Sequence, residues 1–248
     1  GEHSTGNTYN SEKEGTNTIS IKFSNGTTDD TTDDYIVHPA FKLGDTELTG
    51  FWIGKYEVGT NGTTKPNQVA RYTDFSTAFN DSYKAYREAD SHLIRNSEWG
   101  AVAYLTTAVG KIPYINNYSA AQATGNSAEN QDGKDSSDVY SNRYNTEKGV
   151  KASTTHNIYG VYDMSGGAEE FVAAYLDNGT TYAYEGNKYI EKYETGETDT
   201  AENNYNKLAN KKGDAIYETS TSYTGATSWD DDTSIMPTGQ KIFFQRGG

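Results

Sequence analysis

Apolar and polar residues alternate in one stretch near the start of the chain. In Thr18-Ile-Ser-Ile-Lys-Phe23 the three apolar side chains fall on one face, which is the pattern of a half-buried β-strand. Polar, loop-like sequence flanks this run, including the Asp-rich stretch Asn25–Asp34. We therefore interpret residues 1–34 as a polar arm that contributes one strand. A solvated linker fits the same composition equally well.

The predicted folded body is residues 35–248, and its first strong signal is a short apolar run. Gly50-Phe-Trp-Ile-Gly-Lys-Tyr-Glu-Val58 begins with glycine and is rich in aromatic and aliphatic residues, which predicts a buried strand. Upstream, His38 precedes Pro39. We expect this histidine to be packed at the start of a strand rather than to act as a catalyst.

Two later segments carry the spacing of amphipathic helices. Aromatic residues recur every three to four positions over Ser76–Glu88. A second apolar stripe lies in Ser91–Leu105, where Asn96 or Ser97 is the expected N-cap. The residues at helical spacing in the first helix are Phe79, Tyr83 and Tyr86. In the second helix, the residues expected to turn inward are Trp99, Val102, Ala103 and Leu105.

Polar stretches follow these elements. Gly110–Thr154 and Ala173–Lys212 hold few apolar residues, and we interpret both as long polar stretches outside the core elements.

Hydrophobic residues make up only 33% of the chain, yet aromatic residues reach 13% and include 21 tyrosines, which is too many for a disordered chain. The abundance of Asn, Thr, Ser, Gly and Asp favours many turns and short strands over long helices.

Charge and cysteine content exclude several classes of partner. The formal net charge is -14, from 35 acidic and 21 basic residues. Nucleic acid and anionic membrane surfaces are poor partners for such a chain, because phosphate contacts need Lys and Arg. The chain has no cysteine, which excludes disulfides and thiolate metal sites. No apolar run approaches the roughly 18 residues of a membrane-spanning helix, so no membrane insertion is expected.

Three motifs resemble the sulfatase-modifying-factor superfamily, whose best-known member is the formylglycine-generating enzyme. They are the run Gly50–Val58, the segment Asn157-Ile-Tyr-Gly-Val-Tyr-Asp-Met-Ser-Gly-Gly-Ala-Glu-Glu-Phe171, and the ending Ile242-Phe-Phe-Gln-Arg-Gly-Gly248. The resemblance implies an α+β, C-type-lectin-like fold with short strands, two helices and long loops. Members usually continue well beyond the Arg-Gly-Gly pattern. We therefore expect the closing strands to be absent from this chain or supplied by another polypeptide.

The resemblance also implies a structural calcium ion. Its ligands would be the side chains of Asp163 and Glu170 and the backbone carbonyls of Gly166 and Ala168. Calcium accepts carboxylates mixed with carbonyls, and a Gly-Gly turn allows carbonyls to converge. Glu169 stands where the family has tryptophan. From the residues alone, a second interpretation remains, in which Asp163 caps a turn and Glu170 is solvated.

The same resemblance argues against catalysis. The oxidase of the family binds copper through two cysteines, which this chain lacks. The four histidines are scattered, without helical metal spacing or a Ser-His-Asp order. We therefore expect no enzyme activity, and an enzyme that uses a different metal is the less favoured alternative.

The function implied by the resemblance is ligand binding or adhesion. We expect an extracellular domain on a bacterial surface appendage or a phage virion, bound to a protein or glycan on a target surface. Tyr, Ser, Gly and Asn suit such a contact face. The candidate contact residues are Tyr223, Trp229, Asp230, Asp231, Ile235, Lys241 and Gln245. The alternative is a structural subunit of a filament or particle, in which copies of the chain assemble by exchanging the strand Thr18–Phe23.

Overall fold

A three-stranded sheet lies between two α-helices in the computed structural model. The structure describes residues 20–23, 34–69, 71–114, 123–127, 142–177, 184, 186–194, 215 and 243–247. The strands and helices are β1 (Ser20–Phe23), β2 (Asp34–Val37), β3 (Lys42–Leu43), β4 (Thr46–Glu47), α1 (Phe75–Ala85), α2 (Asn96–Ala108), β5 (Glu170–Asp177), β6 (Glu191–Glu194) and β7 (Phe243–Arg246). Short 3-10 helices span Pro39–Phe41, Arg87–Ala89 and Gly149–Ala152. The architecture is α+β, as predicted.

Strand β5 is the centre of the sheet, whose order is β6-β5-β7. It runs parallel to β6 and antiparallel to β7, with Glu170 opposite Arg246 and a register shift between Phe171 and Tyr175. The interpretation of Ala173–Lys212 as a polar stretch was therefore wrong, since it contains most of β5 and all of β6. The signal was the apolar run from Phe171 to Leu176, which is typical of a strand buried on both faces.

Alternate residues of β5 enter two separate cores. Successive side chains of a strand point to opposite faces, so the two helices cover opposite sides of the sheet. The core under α2 contains Trp99, Val102, Ala103, Met164, Val172, Ala174, Leu176, Tyr193, Ala215 and Phe244. The core under α1 contains Leu43, Phe75, Phe79, Ala173, Tyr175, Tyr189 and Ile190.

Both predicted helices form, with local differences. In α1, Phe79 is buried but Tyr83 is partly exposed, and Tyr86 lies beyond the helix and is exposed. In α2, the prediction for Leu105 was wrong, since this side chain is 41% exposed.

The predicted N-cap of α2 was also wrong. Arg95 is the N-cap, and Glu98 Oε2 accepts the backbone N–H of Arg95 at 2.9 Å. Asn96 and Ser97 lie inside the first turn and bond to the sheet instead. Arg246 Nε donates to Asn96 Oδ1 at 2.8 Å, and Ser97 N donates to Glu191 Oε2 at 3.0 Å.

Residues 20–23 form a strand that pairs within the chain. β1 confirms the predicted strand over its described residues, and it pairs antiparallel with β2. The prediction of a buried strand at Gly50–Val58 was wrong. The segment forms no strand, bends at Lys55 and Tyr56, and accepts single backbone bonds at Lys55 and Val58. Trp52, in the middle of this segment, is fully exposed.

No helix within the described ranges has both the length and the apolar character to span a bilayer.

Candidate metal centre

A glycine turn just before β5 gathers three acidic side chains from two parts of the chain. Tyr162 N donates to Lys55 O at 2.9 Å, and the rings of Tyr56 and Tyr162 stack with centroids 5.1 Å apart. These contacts hold the segment Gly50–Val58 against the start of the turn. Glu57 and Asp163, the residues that follow each tyrosine, are thereby brought together.

Asp163 enters the turn in a left-handed backbone conformation, with φ of +59°. Aspartate tolerates this region better than most residues do. The side chain is buried, and Gly125 N donates to its Oδ2 at 2.6 Å. Burial, and then the charge of Glu57, raise the pKa of Asp163 well above its usual range, whereas the N–H of Gly125 lowers it. A charged Asp163 therefore needs more compensation than one hydrogen bond.

Glu57 closes the turn from the other side. Its Oε1 accepts the N–H of Ala168 at 2.9 Å. Its Oε2 is buried, and no donor in the described part of the chain reaches it. The Glu57 carboxyl also lies beside the carboxyl of Glu170. Two neighbouring carboxylates repel each other unless they share a proton or a cation.

Burial raises the pKa of Glu57, and the contacts with Glu170 and the N–H of Ala168 only partly oppose it. The direction is the same as for Asp163. A buried cluster of acids is costly as anions alone, and it is relieved either by protonation or by a bound positive charge.

Two glycines leave the space that the carboxylates occupy. A Cβ on Gly167 would lie 2.5 Å from Glu57 Oε1 and 3.2 Å from Asp163 Cβ. A Cβ on Gly247 would lie 2.1 Å from Glu170 Oε2 and 3.2 Å from the carbonyl oxygen of Ala168. The Glu170 carboxylate and the Ala168 carbonyl therefore converge beside Gly247, at the end of β7.

The four residues of the predicted calcium site, Asp163, Gly166, Ala168 and Glu170, lie in or beside this turn, and of their ligand atoms the Ala168 carbonyl and the Glu170 carboxylate are close together. Sequence reasoning missed Glu57. The available signal was an acidic residue in Gly50–Val58, a run rich in aromatic and aliphatic residues that the sequence predicts to be a buried strand. Such a residue is unusual in a buried segment unless it has a partner.

The donor set is compatible with calcium. Nowhere in the described ranges are three or more His, Cys, Asp or Glu side chains arranged to hold a metal ion together. A cation at this turn would therefore need backbone carbonyls beside the carboxylates. Calcium accepts such a set, because it takes roughly 6–8 hard oxygen ligands in flexible geometry.

The predicted contact residues lie mostly outside the described part of the chain. These are Tyr223, Trp229, Asp230, Asp231, Ile235 and Lys241. Gln245 is described: it is a partly buried residue of β7, opposite Phe171 of β5.

Arg246, next to Gln245, is fully buried. Its guanidinium lies 4.8 Å from the centroid of the Trp99 ring, and NH2 donates to the backbone carbonyl of Ala215 at 3.1 Å. With the bond to Asn96, these contacts tie the end of β7 to α2. They fix the strand that leads into Gly247, and thereby one wall of the turn.

The described histidines make local structural contacts. His38 is buried, and its Nδ1 accepts the N–H of Ala40. The histidine thereby caps a 3-10 helix, whereas the sequence predicted that it lies at the start of a strand. His92 lies between Asp90 O and the carboxylate of Glu98. His156 Nε2 lies 2.8 Å from the carbonyl oxygen of Ile112.

No protein-family model matches this chain, and no curated protein matches it at a significant level.

Proposed function

We propose that this chain is a non-catalytic ligand-binding or adhesion domain of the C-type-lectin-like type, with a structural calcium ion at the turn of Asp163 and Glu170. Its place would be the outside of a bacterial appendage or a phage particle. The observation that carries the calcium part is the buried carboxylate cluster at the Gly-Gly turn.

The burial of the turn supports a structural rather than a catalytic ion. Asp163 is 2% exposed, and Gly166 and Gly167 are buried. A substrate has no access to such a position. A cation there would link the segment Gly50–Val58, the start of β5 and the end of β7, because each lines one side of the cluster.

Thermal unfolding with calcium and with a chelator tests the site. An ion that binds only the folded state at a hundredfold excess over its Kd stabilises by about 2.7 kcal/mol. For a chain of this size that corresponds to a rise in Tm of roughly 5–10 °C. Removing one carboxylate ligand by Glu170→Gln should abolish most of this rise.

The neighbouring Glu169 provides a matched control. It is exposed, so Glu169→Gln removes the same charge at the next position without touching the cluster. We expect this variant to keep the calcium-dependent rise in Tm. A wild-type protein with the same Tm in calcium and chelator at pH 8, where a shared proton is least favoured, contradicts the calcium site.

Ligand binding needs a separate test, because a structural ion does not reveal a ligand. We expect the purified chain to bind members of a printed glycan array or surface proteins of target cells. Trp229→Ala and Tyr223→Ala should weaken this binding, and the exposed Tyr86→Ala serves as the control. If Trp229→Ala and Tyr223→Ala both bind as wild type does, the result argues against the predicted contact face.

A structural subunit is the second candidate function. Within the described ranges, β1 has β2 as its ladder partner in a two-stranded sheet, so each strand presents an outer edge to which a second copy can add. Removing residues 1–34 should then convert a high-mass species to monomers by size-exclusion light scattering. If the shortened chain still assembles, strand exchange through β1 is refuted.

A further inference from the structure

Glu57 is not among the ligands that the resemblance implies, yet it contacts two of them. We propose that Glu57 is a positioning residue for the cation site, which holds the Ala168 peptide and the Glu170 carboxylate in place. This inference rests on the calcium site of the proposed function and deepens it.

The first contact orients the turn. Ala168 N donates to Glu57 Oε1 at 2.9 Å, across a sequence separation of 111 residues. A peptide whose N–H is held from outside the turn has little freedom to rotate. The carbonyl of Ala168, which belongs to the proposed ligand set, is therefore kept pointing towards Gly247 and the Glu170 carboxylate.

The second contact is the approach of the Glu57 carboxyl to that of Glu170. Oε2 of Glu57 is buried and has no donor among the described residues, so no hydrogen bond from that part of the chain compensates its burial. Burying such an oxygen without a donor is costly. A cation held by Glu170 and the carbonyls offsets this cost by neutralising the cluster.

The turn is built around Glu57. Gly167 has a φ of +89°, and any Cβ there would lie 2.5 Å from Glu57 Oε1 and 3.1 Å from its Cδ. The glycine therefore serves two requirements, the left-handed backbone and the space for the Glu57 carboxyl.

Glu57 acts beside the ligands rather than as one more of them. Within the described part of the chain no three acidic side chains have the arrangement of a shared metal site. Groups that orient metal ligands from outside are costly to remove, and their loss typically weakens metal affinity by about 10–100-fold.

Two substitutions separate positioning from coordination. Glu57→Gln keeps an oxygen that accepts from Ala168 N and gains an N–H₂ that donates to Glu170, so the arrangement survives without the charge. Glu57→Ala removes both contacts. Calcium alone is titrated into each full-length variant by calorimetry, and melting in chelator checks that each still unfolds cooperatively.

We expect Glu57→Gln to bind calcium within about threefold of wild type and Glu57→Ala to bind at least about tenfold more weakly. Glu57→Met, which keeps the length but no acceptor, replaces the alanine variant if that one does not fold. Glu169→Gln again controls for the change of charge.

Three results overturn the inference. Wild-type affinity in Glu57→Ala means that the residue is unrelated to the ion. Equal loss in Glu57→Gln and Glu57→Ala means that the charge is needed and that Glu57 coordinates directly. If wild type does not bind calcium, the calcium site of the proposed function is refuted as well. This outcome differs from the other two, in which wild type and Glu169→Gln both bind calcium.

Discussion

Acidification should destabilise this protein through His38. The side chain is buried, and its Nδ1 accepts the N–H of Ala40 at 3.2 Å, a bond that protonation of Nδ1 breaks. Burial, and then the charge of Arg95, lower the pKa of His38 to about 4. The ordinary value of about 6.5 applies to the unfolded chain.

The sign and the size follow from this difference. Because the unfolded chain binds the proton more tightly, the contribution of His38 to stability is intact above pH 6.5 and is lost as the pH falls towards 4. With these two pKa values the loss is about 2 kcal/mol at pH 5 and about 3 kcal/mol at pH 4.

His38→Asn isolates this effect. Asparagine offers an oxygen to the N–H of Ala40 and does not titrate. Burial raises the pKa of Asp163 and Glu57. These two acids therefore add stability as the pH falls, opposite to the effect of His38, and the pH profile of one protein alone mixes several groups. The difference between the two proteins removes these shared terms.

The assay is urea unfolding of both proteins at pH 7 and pH 4, each in chelator. From the higher to the lower pH, the free energy of unfolding of wild type should fall relative to His38→Asn by about 3 kcal/mol. If the difference between the two proteins changes by less than about 0.5 kcal/mol, His38 is not a buried neutral histidine and the reasoning fails.

Two further substitutions address the turn and the core. Gly247→Ala places a Cβ 2.1 Å from Glu170 Oε2, so we expect the calcium-dependent rise in Tm to be lost. Gly62→Ala has a similar φ, +75° against +71°, and no atom within 4 Å, so it carries the backbone strain alone and should keep that rise. Phe75→Ala removes a buried ring that stacks on β7 and should cost about 3–5 kcal/mol in chemical denaturation. The fully exposed Tyr72→Ala should cost less than about 0.5 kcal/mol, and equal costs would contradict the assignment of Phe75 to the core.

Local periodicity was sufficient for the helices and insufficient for the sheet. The aromatic spacing before Glu88 and the stripe around Trp99 predicted α1 and α2, because a helix forms from contacts between residues three and four apart. Strand β5 was missed because its alternating faces are both buried. Its pattern therefore lacks the polar positions that mark a strand with one solvated face.

The N-cap of α2 shows a second limit of sequence reasoning. Asn96 and Ser97 are good capping residues by type, yet Arg95 precedes the helix and Glu98 accepts its N–H. Asn96 and Ser97 instead bond to Arg246 and Glu191, residues far away in the sequence. When a side chain can either cap a helix or bond to a distant residue, the partners that folding brings near decide which hydrogen bond forms.

For the candidate site, local sequence is enough to predict the chemistry of one turn. Asp163, the two glycines and Glu170 lie within eight consecutive residues, so their types and spacing are a local property, and the calcium they suggest stays a prediction. That Glu57 and Gly247 complete this turn is visible only in the folded chain. The cluster depends on contacts between segments far apart in the sequence, such as Glu57 with Ala168 and Gly247 with Glu170, and no local pattern encodes such pairings.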